Sequence, residues 1–176
     1  MRYLHIILIA LVFLIGCKQK DPQKTQQKKV FTEQEYIKAN RYMVNEHKEI
    51  IQRFVERKNW DMHTTGSGLW YMIYENGTGD KVDKETMVQV DYELKLLDGT
   101  VCYSTKTTGP QWFTIGKGRA EPGLEEGVLM LREGAKARFI LPPHLAHGLP
   151  GDLKKIPPYS IVLYETEILD VKKSSE

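Results

Sequence analysis

The sequence predicts an α+β fold: an antiparallel sheet of about five strands wrapped around one short helix, with one long helix ahead of it. Three observations carry this expectation. Across residues 32–60 apolar pairs recur at helical spacing, at Tyr36-Ile37, Met43-Val44, Ile50-Ile51 and Phe54-Val55. From Leu69 onward the pattern turns to alternation, clearest in "MVQVDYELKLLDGT". There Val88, Val90, Tyr92 and Leu94 share one face and Gln89, Asp91, Glu93 and Lys95 the other. A single stretch, "EPGLEEGVLMLREG", interrupts the alternation with a short helical pattern.

The long helix has a defined start. Thr32 and Glu35 have the spacing of a capping box, and Phe31 with Tyr36 that of a hydrophobic staple. The stripe predicts a helix of about 26 residues, to near Lys58. Asn40 and His47 interrupt its apolar face, which leaves two readings open: the helix lies back on its own domain, or it pairs with a second copy in a homodimer. After "HTTGSGL" the strands follow. "LWYMIYENGTG" is β-rich and ends in a glycine turn, and Asp98-Gly99 is a hairpin turn returning the chain along "TVCYSTK". "QWFTI" reads as a further strand.

In the short helix Leu124, Val128 and Leu131 line one side, Gly127 permits close approach, and Gly134 ends the element. Glu125 and Glu126 fall in the first turn, where the helix dipole favours anions, so they are not read as a catalytic pair. "AKARFIL" points Ala137, Phe139 and Leu141 inward, and the last strand does the same with Val162, Tyr164, Thr166 and Ile168. Ahead of that strand lies "HLAHGLPGDLKKIPPYS", an irregular loop dense in proline and glycine. Loops of this length inside a domain are usually functional.

Composition excludes some classes. The chain has 176 residues, a net charge of +2 and 27 % charged residues. Its basic residues are scattered except in "CKQKDPQKTQQKK", so no nucleic-acid partner is expected. Residues 1–17, "MRYLHIILIALVFLIGC", carry an early Arg and an apolar run too short to span a bilayer, and read as an export signal. The end, "LIGC", resembles the bacterial lipobox, which implies lipidation of Cys17 and a membrane attachment; a plain signal peptide with an incidental Cys is the alternative. Residues 18–31 are Lys/Gln-rich and read as a flexible tether. The tether lacks an acidic run, which favours an outer-membrane lipoprotein facing the periplasm. Of the two cysteines, Cys17 and Cys102, lipidation of the first leaves Cys102 without a partner in the chain, and no zinc site is expected.

Several motifs kept in order then resemble one family. "VQVDYELKLLDGTVCYST", "FTIGKG", "PGLEEGVLMLREGAKARFILPPHLAHG" and "IPPYSIVLYETEIL" are similar to the FKBP-type peptidyl-prolyl isomerases over residues 66–171. Within that family, "DGTVCYS" and "GDLKKI" resemble lipoprotein FKBPs associated with gliding motility in Bacteroidetes-type bacteria. The resemblance implies a prolyl-peptide isomerase without metal or cofactor, acting on proline-containing polypeptides. A binding module of the same fold, with little or no activity, is the alternative. It further implies that Tyr92, Phe113, Tyr164 and Ile156 wall an apolar pocket, with Leu124 at its floor. Ala120 and Glu121 match the loop entering the short helix, where the Glu121 N–H would bind a substrate carbonyl, and His147 takes the place of a substrate-binding Tyr.

Departures from the family pattern fall at Cys102, where Phe is typical, at Tyr103, where Asp is typical, and at Gln111, where an aromatic is common. By that pattern, Cys102→Phe with Tyr103→Asp is expected to raise activity.

Overall fold

The computed structural model describes residues 32–173. The export signal, Cys17, the tether and Phe31 lie outside the described residues. The chain divides into two compact units, residues 1–36 and 37–176.

In the first unit the described residues 32–36 hold a complete capping box. The Thr32 N–H donates to Glu35 Oε2 at 2.8 Å, and the Glu35 N–H donates back to Thr32 Oγ1 at 3.3 Å. They open helix α1, Glu33–Lys58. Reciprocal capping satisfies N–H groups that have no partner in the helix ladder, which is why the helix begins where it does.

In the second unit the end of α1 is buried at Ile51, Phe54 and Val55. Strands follow in the order β1 His63–Thr64, β2 Trp70–Asn76, β3 Met87–Leu96 and β4 Val101–Ser104. The one-turn helix α2, Thr105–Thr108, leads to β5 Gln111–Thr114, helix α3 Pro122–Val128, β6 Ala135–Leu141 and β7 Val162–Lys172. All pair antiparallel into a seven-stranded sheet of order β1-β2-β6-β7-β3-β4, with β5 also on β3. The sheet thus has more strands than the sequence predicts. The additional pieces are short: β1 has two residues, and β4 and β5 have four each. Both β4 and β5 use β3, at its two ends.

The predicted inward residues form one buried cluster: Val88, Val90, Leu94, Ala137, Phe139, Leu141, Val162, Tyr164 and Ile168 all belong to it. A bulge in the β3–β7 ladder, where Gln89 faces Asp170 but Val90 faces Ile168, resets the phase so that Val171 also points inward. Helix α3 closes on this face, and a Cβ on Gly127 would meet the Phe139 ring at 2.6 Å. Gly127 therefore sets the approach of α3 to β6, as the sequence predicts.

The apolar runs "FIL" in β6 and "VLY" in β7 are continuous rather than alternating, because both faces are covered there. Ile140, Ile161 and Leu163 form a second cluster with Ile51, Phe54 and Val55 of α1. Of the two readings of the long helix, its C-terminal part lies back on its own domain.

Candidate functional site

Five of the sequence-predicted site residues line one cavity of about 330 Å³: Tyr92, Tyr103, Glu121, His147 and Tyr164, joined by Leu94, Asp152 and Lys154. Alternation along β3 and β7 puts Tyr92 and Tyr164 on the inner face, their rings 5.5 Å apart between centroids and tilted by 57°. Tyr164 is 2 % exposed, Tyr92 half-buried. Burial and the nearby Glu121 carboxylate raise both phenols above the ordinary tyrosine range. These rings stay neutral at physiological pH.

Tyr103, from β4, donates its hydroxyl to Asp152 Oδ2 on the loop before β7. Asp152 Oδ1 accepts the backbone N–H groups of Lys154 at 2.9 Å, Lys155 at 2.9 Å and Ile156 at 2.7 Å. Burial raises the Asp152 pKa, but the Tyr103 hydroxyl and the three N–H groups more than offset it and hold the carboxyl well below its ordinary range. The same bond pushes the Tyr103 phenol up to about 12. The loop is closed further by the Asp152 N–H donating to the Ile156 carbonyl at 3.1 Å and the Tyr159 N–H donating to the Gly148 carbonyl at 3.2 Å. Prolines alone do not stiffen this flap. Asp152 ties it to itself and to the sheet.

Glu121 stands at the N-cap of α3 yet makes no side-chain cap bond. Its carboxylate lies in the cavity, with Oε1 2.8 Å from His147 Nε2. The ring N–H does not point along that line, so the pair is an electrostatic contact and not a formed hydrogen bond. No turn or loop bond among the described residues takes the Glu121 N–H.

The remaining predicted residues sit behind or beside the cavity. Leu124 and Ile156, 3 % and 2 % exposed, and Cys102, also 2 % exposed, belong to the buried cluster, with Phe113 and Ala120 packed against it. Leu124 is core rather than an open floor, because α3 lies flush on β6. Cys102 Sγ is 3.5 Å from the Lys155 carbonyl, and burial raises its pKa. It is an inert thiol here. Gln111 turns away, its amide donating to the Gly109 carbonyl at 2.8 Å on the exposed face of β5. His144 faces the Ser67 carbonyl at 2.9 Å, away from His147's partner.

Sequence reasoning missed Asp152 and Lys154. The available signal was "GDLKKI", an Asp followed by N–H groups two to four residues on, which is an Asx-type turn.

A sequence model described as FKBP-type peptidyl-prolyl cis-trans isomerase matches residues 79–169. The chain belongs to the FKBP-type peptidyl-prolyl cis-trans isomerase family. It is 38 % identical over 109 residues to a probable FKBP-type isomerase FkpA of Neisseria meningitidis, covering 61 % of this chain and 39 % of that protein. It is 38 % identical over 110 residues to FK506-binding protein 2 of Yarrowia lipolytica, covering 62 % and 76 %. With FkpA of Escherichia coli it shares 33 % identity over 126 residues, covering 71 % of this chain and 45 % of that one. The crystal structure of that FkpA superposes with a TM-score of 0.66 at 27 % identity, covering 99 % of this chain and 84 % of that one. The chain spans less than half the length of these bacterial relatives. The FKBP motifs read from sequence, from "VQVDYELKLL" to the closing strand, fall inside the matched residues.

Proposed function

We propose that the chain is a peptidyl-prolyl cis-trans isomerase that acts on exported or envelope proteins by holding a twisted prolyl amide without covalent chemistry. The observation that carries this reading is the convergence of Tyr92, Tyr103 and Tyr164, from three separate strands, on one cavity backed by the buried cluster. Rotation about a peptide C–N bond faces a barrier of about 18–20 kcal/mol. An X-Pro bond populates both isomers but exchanges them over tens to hundreds of seconds. The twisted amide loses resonance and polarity, so ring walls favour it over the planar ground state; only that difference accelerates the reaction.

In this reading Tyr92 and Tyr164 flank the prolyl ring, while Phe113, Ile156, Leu124, Ala120 and Cys102 back the wall. The Glu121 N–H holds a substrate carbonyl, and His147 and Tyr103 form the rim.

A protease-coupled assay on a prolyl peptide tests the proposal. Wild type accelerates isomerisation, and Tyr92→Ala lowers kcat/KM by about tenfold or more, about 1.4 kcal/mol of transition-state stabilisation. The commitment of the Tyr103 hydroxyl to Asp152 favours a second reading, a binding module for a proline-containing partner in an envelope, motility or secretion assembly. Peptide binding without acceleration at micromolar protein selects it.

The anchor is a further part of the proposal. A lipidated Cys17 holds the domain on the outer membrane, facing the periplasm; palmitate labelling lost in Cys17→Ser supports it, and labelling that persists ends it. Ile37, Tyr42 and Val44 of α1 are exposed, which supports a homodimer through that helix, to be read by sedimentation.

A further inference from the structure

We infer that the cavity selects prolyl segments carrying a cationic side chain next to the proline, with Glu121 as the residue that sets this preference. The inference rests on the reading of the cavity as a prolyl site. It begins with an imbalance among the charges that line it. Asp152 is fully engaged by the Tyr103 hydroxyl and three backbone N–H groups. Glu121 is not. Its side chain is 17 % exposed and makes no cap bond to α3; the Tyr164 phenol hydrogen-bonds it, the His147 imidazole stands 2.8 Å away and Tyr92 lies near. Among the described residues neither a lysine nor an arginine pairs with it. A carboxylate this shielded from water, with no lysine or arginine of the described residues beside it, attracts an ammonium or guanidinium brought in by the ligand.

The second observation is aromatic. Three phenol rings, Tyr92, Tyr103 and Tyr164, line the same hollow, and ring faces attract cations. Lys155 Nζ already stands 5.0 Å from the Tyr103 ring centroid, so this ring holds a cation on one face. A lysine or arginine stem also packs its methylenes on rings while its head seeks the carboxylate. Lys154 works against the preference from the flap, where its side chain is exposed and its charge screened by solvent. An acidic residue beside the proline meets Glu121 directly and is rejected.

The test uses the full chain and four fluorescent peptides, with lysine or norleucine immediately before or immediately after the proline. Norleucine keeps the stem and omits the charge. At low salt, in at least one of the two positions, the lysine peptide binds about five- to tenfold more tightly than its norleucine counterpart. That ratio falls to about one in Glu121→Gln, and in wild type it shrinks towards one at about 0.5 M salt, a measurement that needs no variant. A ratio at or below one in both positions overturns the inference, as does a ratio that Glu121→Gln leaves unchanged. If the norleucine peptides bind and only the ratio fails, the prolyl site stands and the preference falls. If none of the four binds, both fall together.

Discussion

Gly151→Ala is expected to unlatch the flap, and the structure supplies the magnitude. Gly151 has φ +67°, and a Cβ there would sit 2.1 Å from the Ile156 carbonyl oxygen and 2.7 Å from the Pro157 carbonyl. Gly148, on the same flap, has φ +63° but its nearest atom is Pro150 Cδ at 3.8 Å, an ordinary contact. Both substitutions force an L-residue into the left-handed region, at about 1–2 kcal/mol. Only Gly151→Ala must also displace backbone, which adds about 1–3 kcal/mol on the scale of overpacked interiors. The expected losses are therefore about 1–2 kcal/mol for Gly148→Ala and about 2–5 kcal/mol for Gly151→Ala. Urea unfolding reads them as shifts of midpoint at constant slope. The flap can also open locally, so amide hydrogen exchange at Lys154, Lys155 and Ile156, whose N–H groups Asp152 accepts, is the second readout. Equal losses for the two alanines, with those three amides still protected in Gly151→Ala, would refute the reasoning.

Asp152→Asn should destabilise at neutral pH, and the gap to wild type should narrow in acid. A depressed carboxyl pKa contributes stability above its unfolded value of about 3.9, and the contribution is lost as pH falls through the folded value. Urea midpoints compared between pH 7 and pH 2 check this, and a constant gap contradicts it. Phe54→Ala should cost about 3–5 kcal/mol, because Phe54 is buried against the outer face of the sheet and edge-on to Trp60; a loss below about 1 kcal/mol would detach α1 from the domain. Cys102→Phe with Tyr103→Asp should lower stability and activity, against the expectation from the family pattern. The Cys102 site is closed, so Phe overpacks it by about 1–3 kcal/mol, and an Asp at 103 faces Asp152 in place of the phenol that now binds it. A gain in kcat/KM would restore the family-pattern expectation.

Short-range features were legible because their physics is local. The Thr32–Glu35 box and the alternation through Tyr92 and Leu94 depend on residues a few positions apart, and the close approach at Gly127 is marked by the glycine itself although its partner, Phe139, lies on β6; each is in place. The Asp98-Gly99 turn likewise closes on itself, with the Thr100 N–H donating to Asp98 Oδ1 at 2.8 Å. What stayed hidden depends on distance in sequence. Tyr103 and Asp152 are 49 residues apart, and nothing in either neighbourhood announces the bond. The family pattern singles out Glu121 for its backbone N–H only, whereas α3 leaves its side chain uncapped and the fold turns it inward to Tyr164 and His147. The bulge before Val90 and the burial of Ile140 and Leu163 under α1 are tertiary choices that no alternation count contains.

Exchange NMR on a proline peptide, with catalytic amounts of the full chain, follows the cis and trans signals directly. The account predicts cross-peaks between the two isomers within a second with wild type, and their loss with Tyr92→Ala and with Tyr164→Ala. Interconversion that stays at the uncatalysed rate of tens to hundreds of seconds would contradict it, whatever the peptide's affinity for the cavity.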